Sequence, residues 1–412
     1  MTTDPLRVDG ERFWSTVMTS ATIGRGKAGG LSRLALGDAD REMRDVFAGW
    51  CAEAGLTLTV DRLGNMFARY EGREPDLPPV LAGSHLDTQI AGGRFDGIVG
   101  VLGALEVVRT LADRGIRPKR AIEVVNWSNE EGARFSPPMS CSAVFAGVHD
   151  LDWGLARRDR EGRSFADELA RIGYAGAATV GGRPIDAYFE LHIEQDSALD
   201  EARVPVGVVT GSYAVRGLKV HVQGEHAHTG PTPMAKRRNA LVGAGRLIVG
   251  LDDIGWRYAP EGKTTSSRIE VSPNLPGILS DDAVLFADMR HPDPATVERM
   301  LEEFDNVITE AARASRCDVS VVERWTYGSE AFDPSCIALV RDAAGRLGHP
   351  TLDLLTQAGH DAFHLAKAAP TAMIFCPCRD GITHNEAEHC EPETTIPSVD
   401  VLLGALLARA DR

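Results

Sequence analysis

No apolar run in this sequence approaches the ~20 residues a helix needs to cross a bilayer. The first residues, Met1 to Arg7, show neither the basic start nor the apolar stretch of a secretory signal, so the expectation is a cytoplasmic protein with no membrane partner. Basic residues are the minority: 44 Lys and Arg face 59 Asp and Glu, a net charge of −15. That balance argues against a nucleic-acid partner, because phosphate-tracking proteins display clustered Lys and Arg. The seven cysteines are odd in number and scattered, Cys51, Cys141, Cys317, Cys336, Cys376, Cys378 and Cys390, which is no disulfide framework and points to reduced thiols. Repeats and low-complexity stretches are also missing. What remains is ordinary globular composition, 43% hydrophobic and 25% charged. Single cores stop growing near ~250–300 residues, so 412 residues imply more than one domain, and two are expected.

The first half alternates short apolar runs with amphipathic segments. Val80–Gly83, Ala121–Asn126 and Ala187–Ile193 read as strands and Gly100–Arg114 as a helix, the rhythm of an α/β sheet covered by helices. Thr371–Phe375 followed by the helical Pro397–Arg409 repeats it near the C-terminus. Between them the order changes. Leu218–Val222 reads as a strand, Ala235–Leu251 as a helix, Thr265–Val271 and Ala283–Met289 as strands, Pro294–Ala314 as a helix and Asp318–Glu323 as a strand. This βαββαβ order is a split βαβ sandwich. The chain is therefore expected to have a discontinuous catalytic domain, 1–211 with 325–412, and an inserted α+β lid or dimerisation domain, 212–324.

Open α/β sheets bind ligands beyond the carboxyl ends of their strands. Each expected strand delivers polar groups there: Ser84-His85-Leu86-Asp87 and Gly93-Arg94-Phe95-Asp96-Gly97 after the first, Asn129-Glu130-Glu131-Gly132 after the second, His192-Ile193-Glu194-Gln195 closing the third, and Thr383-His384-Asn385-Glu386 after the last. Imidazole nitrogens with carboxylate oxygens and no thiolate suit two divalent cations, zinc or manganese, with cobalt or nickel as substitutes. Asp96, on a loop flanked by glycines, can span both. Glu130 and Glu131 are adjacent and in extended backbone point oppositely, so one can ligate while the other serves as a base. Asp87 follows His85 closely enough to help fix its imidazole, or is simply a turn residue. Cys376-Pro377-Cys378 with His384, His389 and Cys390 is a rival metal cluster, but C-x-C is not the spacing of structural zinc sites. Cys141 is a nucleophile candidate without a partner motif, and a small apolar filler otherwise.

At these clusters the sequence resembles the M20 family of dinuclear metallohydrolases, in its amidase/hydantoinase/carbamoylase branch. The likeness runs from Gly29-Gly30-Leu31-Ser32-Arg33-Leu34-Ala35-Leu36 and Asp38-Ala39-Asp40-Arg41, through the His85 and Asp96 segments, to Gly359-His360-Asp361-Ala362 and His384-Asn385-Glu386. It implies a three-layer metallo-aminopeptidase-like catalytic domain. It also implies His85, Glu131, His192 and His384 as metal ligands around a bridging Asp96, with His85 and His192 on its two sides, and Glu130 as general base. In the inserted segment, Gly230-Pro231-Thr232-Pro233-Met234 aligns His228 with a histidine that reaches the other subunit's site, so a homodimer is implied. Asn274 and Arg290 match positions that hold a substrate carboxylate, and Gln195 a pocket glutamine. The plain alternatives are a surface ion pair for Arg290 and a turn cap for His228. Two departures stand out: Asp196 where the branch has Gly, and Ser140-Cys141-Ser142 in place of a Gly-containing turn.

The expected reaction is hydrolysis of the ureido C–N bond of an N-carbamoyl amino acid to amino acid, ammonia and carbon dioxide, with Glu130 moving the proton. Allantoate or another amide of the same branch is the alternative substrate. A metal-free binding or scaffold protein on the same fold is the alternative of a different class.

Overall fold

The structure, a computed structural model, describes residues 5–412; residues 1–4, which begin the segment examined for a secretory signal, lie outside the described residues. Among the described residues twelve strands run in chain order as β1 (Thr57–Val60), β2 (Met66–Tyr70), β3 (Val80–His85), β4 (Ile122–Trp127), β5 (Ala187–Ile193) and β6 (Val206–Ser212), then β7 (Ala214–Gln223), β8 (Lys263–Ser272), β9 (Asp282–His291), β10 (Asp318–Gly328), β11 (Thr351–Thr356) and β12 (Thr371–Cys376). They form two sheets, and the chain divides into two compact units, Met1–Gly211 with Ala331–Arg412, and Ser212–Glu330.

The first unit holds an eight-stranded mixed sheet in the order β1-β2-β4-β3-β5-β12-β6-β11. Its centre is parallel: β3 pairs with β4 and β5, and β12 with β5. Every residue of β3, β4, β5 and β12 is buried, so both faces of this centre are covered and the architecture is three-layered. Their near-continuous apolar runs are the sequence form of that burial. Helix Ile98–Asp113 packs on β3, β4 and β5, and helix Pro392–Ala410 on β12, β5 and β3. The first is apolar on nearly all sides because the second packs on it in turn. Since β4, β3, β5 and β12 are adjacent and parallel, their carboxyl ends lie side by side. Residues leaving those ends meet at one edge.

The second unit has the order βαββαβ and an antiparallel sheet, β10-β7-β9-β8. Along β9 burial alternates residue by residue, so one face packs and the other does not. The packed face meets helices Ala240–Tyr258 and Pro294–Ser315 in a core that includes Leu218, Val220, Leu247, Leu285, Met300 and Phe304. Asp293 caps the second helix, accepting from the backbone N–H groups of Ala295 and Thr296, with Pro294 where its missing N–H costs nothing. The unit runs to Glu330 rather than 324, because β10 continues to Gly328. The first helix begins at Ala240, not Ala235: Asn239 caps it, and Met234–Lys236 makes a short 3-10 turn instead.

Candidate metal centre and active site

His85 is the last residue of β3, His192 lies within β5, Glu130 and Glu131 follow β4, and His384 follows β12. Asp96 sits in the loop between β3 and helix Ile98–Asp113. Adjacent Gly97 has φ 68°, and a Cβ there would stand 2.2 Å from Nε2 of His85. Only glycine allows the loop to turn this tightly against the imidazole.

All these groups converge on Asp96. Its Oδ1 lies 3.1 Å from His192 Nε2 and 3.7 Å from His85 Nε2. Its Oδ2 lies 3.4 Å from His384 Nε2, which is itself 3.3 Å from Glu131 Oε2. Two sets of ligand atoms result, each lying mutually within 4.8 Å: His85, Asp96 and His192, wholly buried, and Asp96, Glu131 and half-exposed His384. Asp96 belongs to both. His85 and His192 had been expected on opposite sides of Asp96; both face Oδ1, because β3 and β5 are neighbours in the sheet.

The donor chemistry fits two divalent cations. Nδ1 of His85 is 2.9 Å from the Asp87 carbonyl, and Nδ1 of His192 is 3.0 Å from the Ile193 carbonyl. A carbonyl only accepts, so these nitrogens carry the ring protons and each neutral ring turns the Nε2 lone pair toward carboxylate oxygens. Acceptors facing acceptors repel unless a cation lies between them. The same crowding appears in the acid–base equilibria. Burial and then the negative charge of Asp361 push Glu130 well above the usual carboxylate range, and burial and then Asp96 do the same to Glu131.

Glu130 belongs to neither set, yet its Oε2 is 3.6 Å from His85 Nε2. The two glutamates were expected to diverge on extended backbone. In fact β4 ends at Trp127, residues 128–131 are bent, and Asn129 takes a left-handed φ of 55°. The bend is fixed by Asp87, whose carboxylate accepts from the backbone N–H of Glu130 at 3.2 Å and of Glu131 at 3.3 Å. Asp87 therefore touches His85 through its carbonyl and the glutamates through its side chain. Burial and then Asp40 raise the Asp87 carboxyl to about 7. Gln195 donates its amide to Asp96 Oδ2 at 3.0 Å, placing it against the shared carboxylate. Asp196 accepts from the amide of Gln357 and from the backbone of Ser197.

Of the rival metal cluster, Cys390 contacts the thiols of both Cys376 and Cys378, but His384 goes to Asp96 and Glu131 instead. All seven cysteines are free and buried, and none joins either set of candidate metal ligands among the described residues. Cys141 packs with Leu63, Val144 and Phe165, and burial raises its thiol well above the ordinary value, the reverse of what a nucleophile needs.

The remaining expected site residues belong to the second unit. His228 is exposed, its Nδ1 accepting from the Gly230 N–H at 3.0 Å, and a bridge to Ile278 ties its loop to the one that carries Asn274 at φ 48°. Arg290 lies near the end of β9, its guanidinium forked onto Asp288 at 2.7 and 3.2 Å. The His228 and Asn274 loops leave the sheet where Gln223 and Ser272 pair with Asp282. From Asp282 to Arg290 is eight residues along β9, about 26 Å at ~3.3 Å per residue. Arg290 thus lies about 26 Å along β9 from the end where those loops leave.

Residues 81–408 match peptidase family M20/M25/M40. The chain belongs to that family. Its M20 relatives include the N-carbamoyl-L-amino-acid amidohydrolase of Rhizobium meliloti, 43% identical over 405 residues that cover 98% of this chain and 97% of that one. A ureidoglycolate hydrolase of Arabidopsis thaliana is 30% identical over 90% of this chain and 80% of its own length. Among solved structures, the amidase of the hydantoinase/carbamoylase family from Burkholderia vietnamiensis superposes with a TM-score of 0.95 at 45% identity, covering 99% of this chain and 98% of that one.

Two contributors to this M20 site escaped the sequence reading. Gln89 holds Glu131 in place, donating its backbone N–H at 3.1 Å and its amide at 2.8 Å. His360 is buried with its ring 4.5 Å from that of His192 and its Nε2 3.0 Å from the Thr356 hydroxyl. The Gly359-His360-Asp361-Ala362 segment marked the spot. Nothing in it says that the Ala362 N–H reaches back to Glu190 on β5.

Proposed function

We propose that this chain is a metal-dependent amidohydrolase that cleaves the ureido C–N bond of an N-carbamoyl amino acid, yielding the amino acid, ammonia and carbon dioxide. The observation that carries the reading is the Asp96 carboxylate, shared by two sets of imidazole and carboxylate ligands, with a raised, non-ligating Glu130 beside them. The end-to-end likeness to an N-carbamoyl-L-amino-acid amidohydrolase supports the substrate class.

His85, Asp96 and His192 would hold one divalent cation and Asp96, Glu131 and His384 a second. When bound, such cations supply Lewis acidity toward a carbonyl oxygen and acidify water. Zinc or manganese suits the donors. The chain's own residues do the rest. Glu130 takes a proton from the water that adds to the ureido carbonyl and returns it to the departing nitrogen, a cycle its raised affinity for protons favours. Asp87 keeps Glu130 and Glu131 apart on their bend, and Gln195 orients Asp96 and lines the pocket. Arg290 and Asn274 bind the substrate carboxylate, and His228 donates to the developing oxyanion.

The separation along β9 supports a homodimer, in which a second copy supplies His228 and Asn274 to a site that takes Arg290 from the first. Seven free, buried thiols are in keeping with a reducing cytoplasmic compartment, and no helix among the described residues is long and apolar enough to cross a membrane. The ureidoglycolate hydrolase relative favours a second reading, in which allantoate or a smaller ureido acid is the substrate. Ammonia release from N-carbamoyl-L-amino acids, N-carbamoyl-β-alanine, allantoate and ureidoglycolate, each with Zn²⁺ or Mn²⁺, decides between them. Turnover of the carbamoyl amino acids above the rest is expected. Preference for allantoate or ureidoglycolate replaces the first reading with the second, and inactivity on all four with no bound metal favours the scaffold reading.

A further inference from the structure

Glu388 is a buried carboxylate that neither the sequence reading nor the ligand sets include. It lies four residues beyond His384, and its own N–H donates to the Asn385 carbonyl at 3.0 Å, so its position is fixed to the segment that carries His384. One oxygen, Oε1, accepts the backbone N–H of Phe95 at 2.8 Å and of Asp96 at 3.1 Å. The other, Oε2, is buried with no hydrogen-bond partner among the described residues. Room for this carboxylate is made at Gly93, where a Cβ would lie 1.9 Å from the Glu388 carboxyl carbon. The aromatic surroundings brace the same contact: the Phe95 ring stacks on Trp14 at 5.5 Å and meets the edge of His389 at 6.3 Å.

Burying a carboxylate with half its acceptor capacity idle is unfavourable, so its placement calls for a compensating use. The two N–H groups it captures belong to the loop that presents Asp96, the carboxylate common to both ligand sets. We propose that Glu388 is a positioning residue that clamps the Asp96 loop to the His384 segment, so that Asp96, Glu131 and His384 are assembled together as one cation site. These two segments are far apart in sequence, Asp96 following β3 and His384 following β12. Glu388 links them through the backbone of Asp96 and leaves both Asp96 oxygens to the ligand sets. The inference rests on the ligand reading given under Proposed function.

The test is Mn²⁺ titration of the chelator-stripped full chain by calorimetry, with the exchange-coupled electron paramagnetic resonance signal of an ion pair as a second readout. The unsubstituted protein is expected to bind two ions and give the coupled signal. Glu388→Gln keeps an oxygen able to accept both N–H groups and is expected to keep both ions within about threefold in affinity, whereas Glu388→Ala should weaken one ion about 10–100-fold and lose the coupled signal. Gly93→Ala, whose new methyl group has the Glu388 carboxylate as its nearest neighbour, should reproduce the Glu388→Ala defect. Adding Gly93→Ala to Glu388→Ala should bring no further loss. Two ions bound as in the parent by a folded Glu388→Ala or Gly93→Ala protein overturns the proposal, as does Glu388→Gln failing as badly as Glu388→Ala. If Glu388→Ala does not fold, Gly93→Ala and Glu388→Gln decide the matter by the same criteria. An unsubstituted protein that binds no Mn²⁺ instead overturns the ligand reading itself, and this clamp with it.

Discussion

The candidate site residues of the two units are held in opposite ways. In the first unit nearly every one is buried and fixed by backbone: His85 and His192 by carbonyls, Glu130 and Glu131 by the N–H groups that Asp87 accepts, Glu131 again by Gln89. In the second unit His228 and Asn274 ride on exposed loops and Arg290 rests on a strand, about 26 Å away along it. Ligands for small cations need sub-ångström placement, which rigid strand ends provide. Groups that meet a substrate and then release it do not need that rigidity, and lid segments are drawn from the less constrained parts of a fold.

The sharpest way to break this contrast is to remove chemistry from the rigid side without removing its geometry. Glu130→Gln keeps the shape and the neighbouring ligands, so metal content should stay at the parent level while kcat falls about 10²–10⁴-fold. Ammonia release alongside elemental analysis reads both quantities, and near-parental turnover at full metal content would show that Glu130 is not the base. In the second unit, His228→Ala should cost about 10²–10³-fold in kcat, the range for one oxyanion donor, again with metal unchanged. The contrast sharpens if the two inactive variants are mixed and allowed to exchange subunits. With His228 acting across a dimer, half the dimers become mixed and each regains one good site, so about a quarter of parental activity should return. No recovery would mean that His228 serves its own chain. A smaller effect is expected for Gln89→Ala, which leaves every ligand and the backbone N–H bond to Glu131 in place but removes the amide that donates to its other oxygen. Metal affinity measured by titration should fall about 10–100-fold, and an unchanged affinity would show that the Gln89 amide bond does not matter.

The difference between the units also governed what could be read from the sequence. Apolar runs gave the strand Ala187–Ile193 to the residue, because its burial is continuous. The strand starting at Val80 was read as ending at Gly83, but it carries on through Ser84 and His85, paired with Asn126 and Trp127. Polar residues extend that strand because the Ser84 hydroxyl is satisfied by Glu190 and His85 serves the site, neither of which a hydrophobic pattern can register. The ligand types were legible as His, Asp and Glu at successive strand ends. Their grouping was not, since it depends on which strands are neighbours, and β12 lies beside β5 despite the long stretch of sequence between them. Backbone partners such as the Glu130 and Glu131 N–H groups left no trace in side-chain identity, which is why Asp87 was placed near His85 without its larger role. In the second unit the βαββαβ order is plain from periodicity, yet the first helix starts five residues later than Ala235, a good helix former, because Asn239 caps it and Met234–Lys236 makes a 3-10 turn.

That cap supplies the mildest test. Asn239 accepts the Leu241 N–H at 3.1 Å at the start of helix Ala240–Tyr258, whose Ala244, Leu247, Leu251 and Ile254 form part of the second unit's core. Asn239→Ala removes one acceptor from the helix start and should cost about 1 kcal/mol of stability, visible as a lowered midpoint in thermal or urea unfolding. Every metal ligand named for this chain lies in the first unit, so Mn²⁺ affinity and stoichiometry should match the parent at temperatures where the protein stays folded. A parallel loss of stability and of metal affinity would mean that the cation site draws on the second unit's packing, against the contrast drawn between the two units.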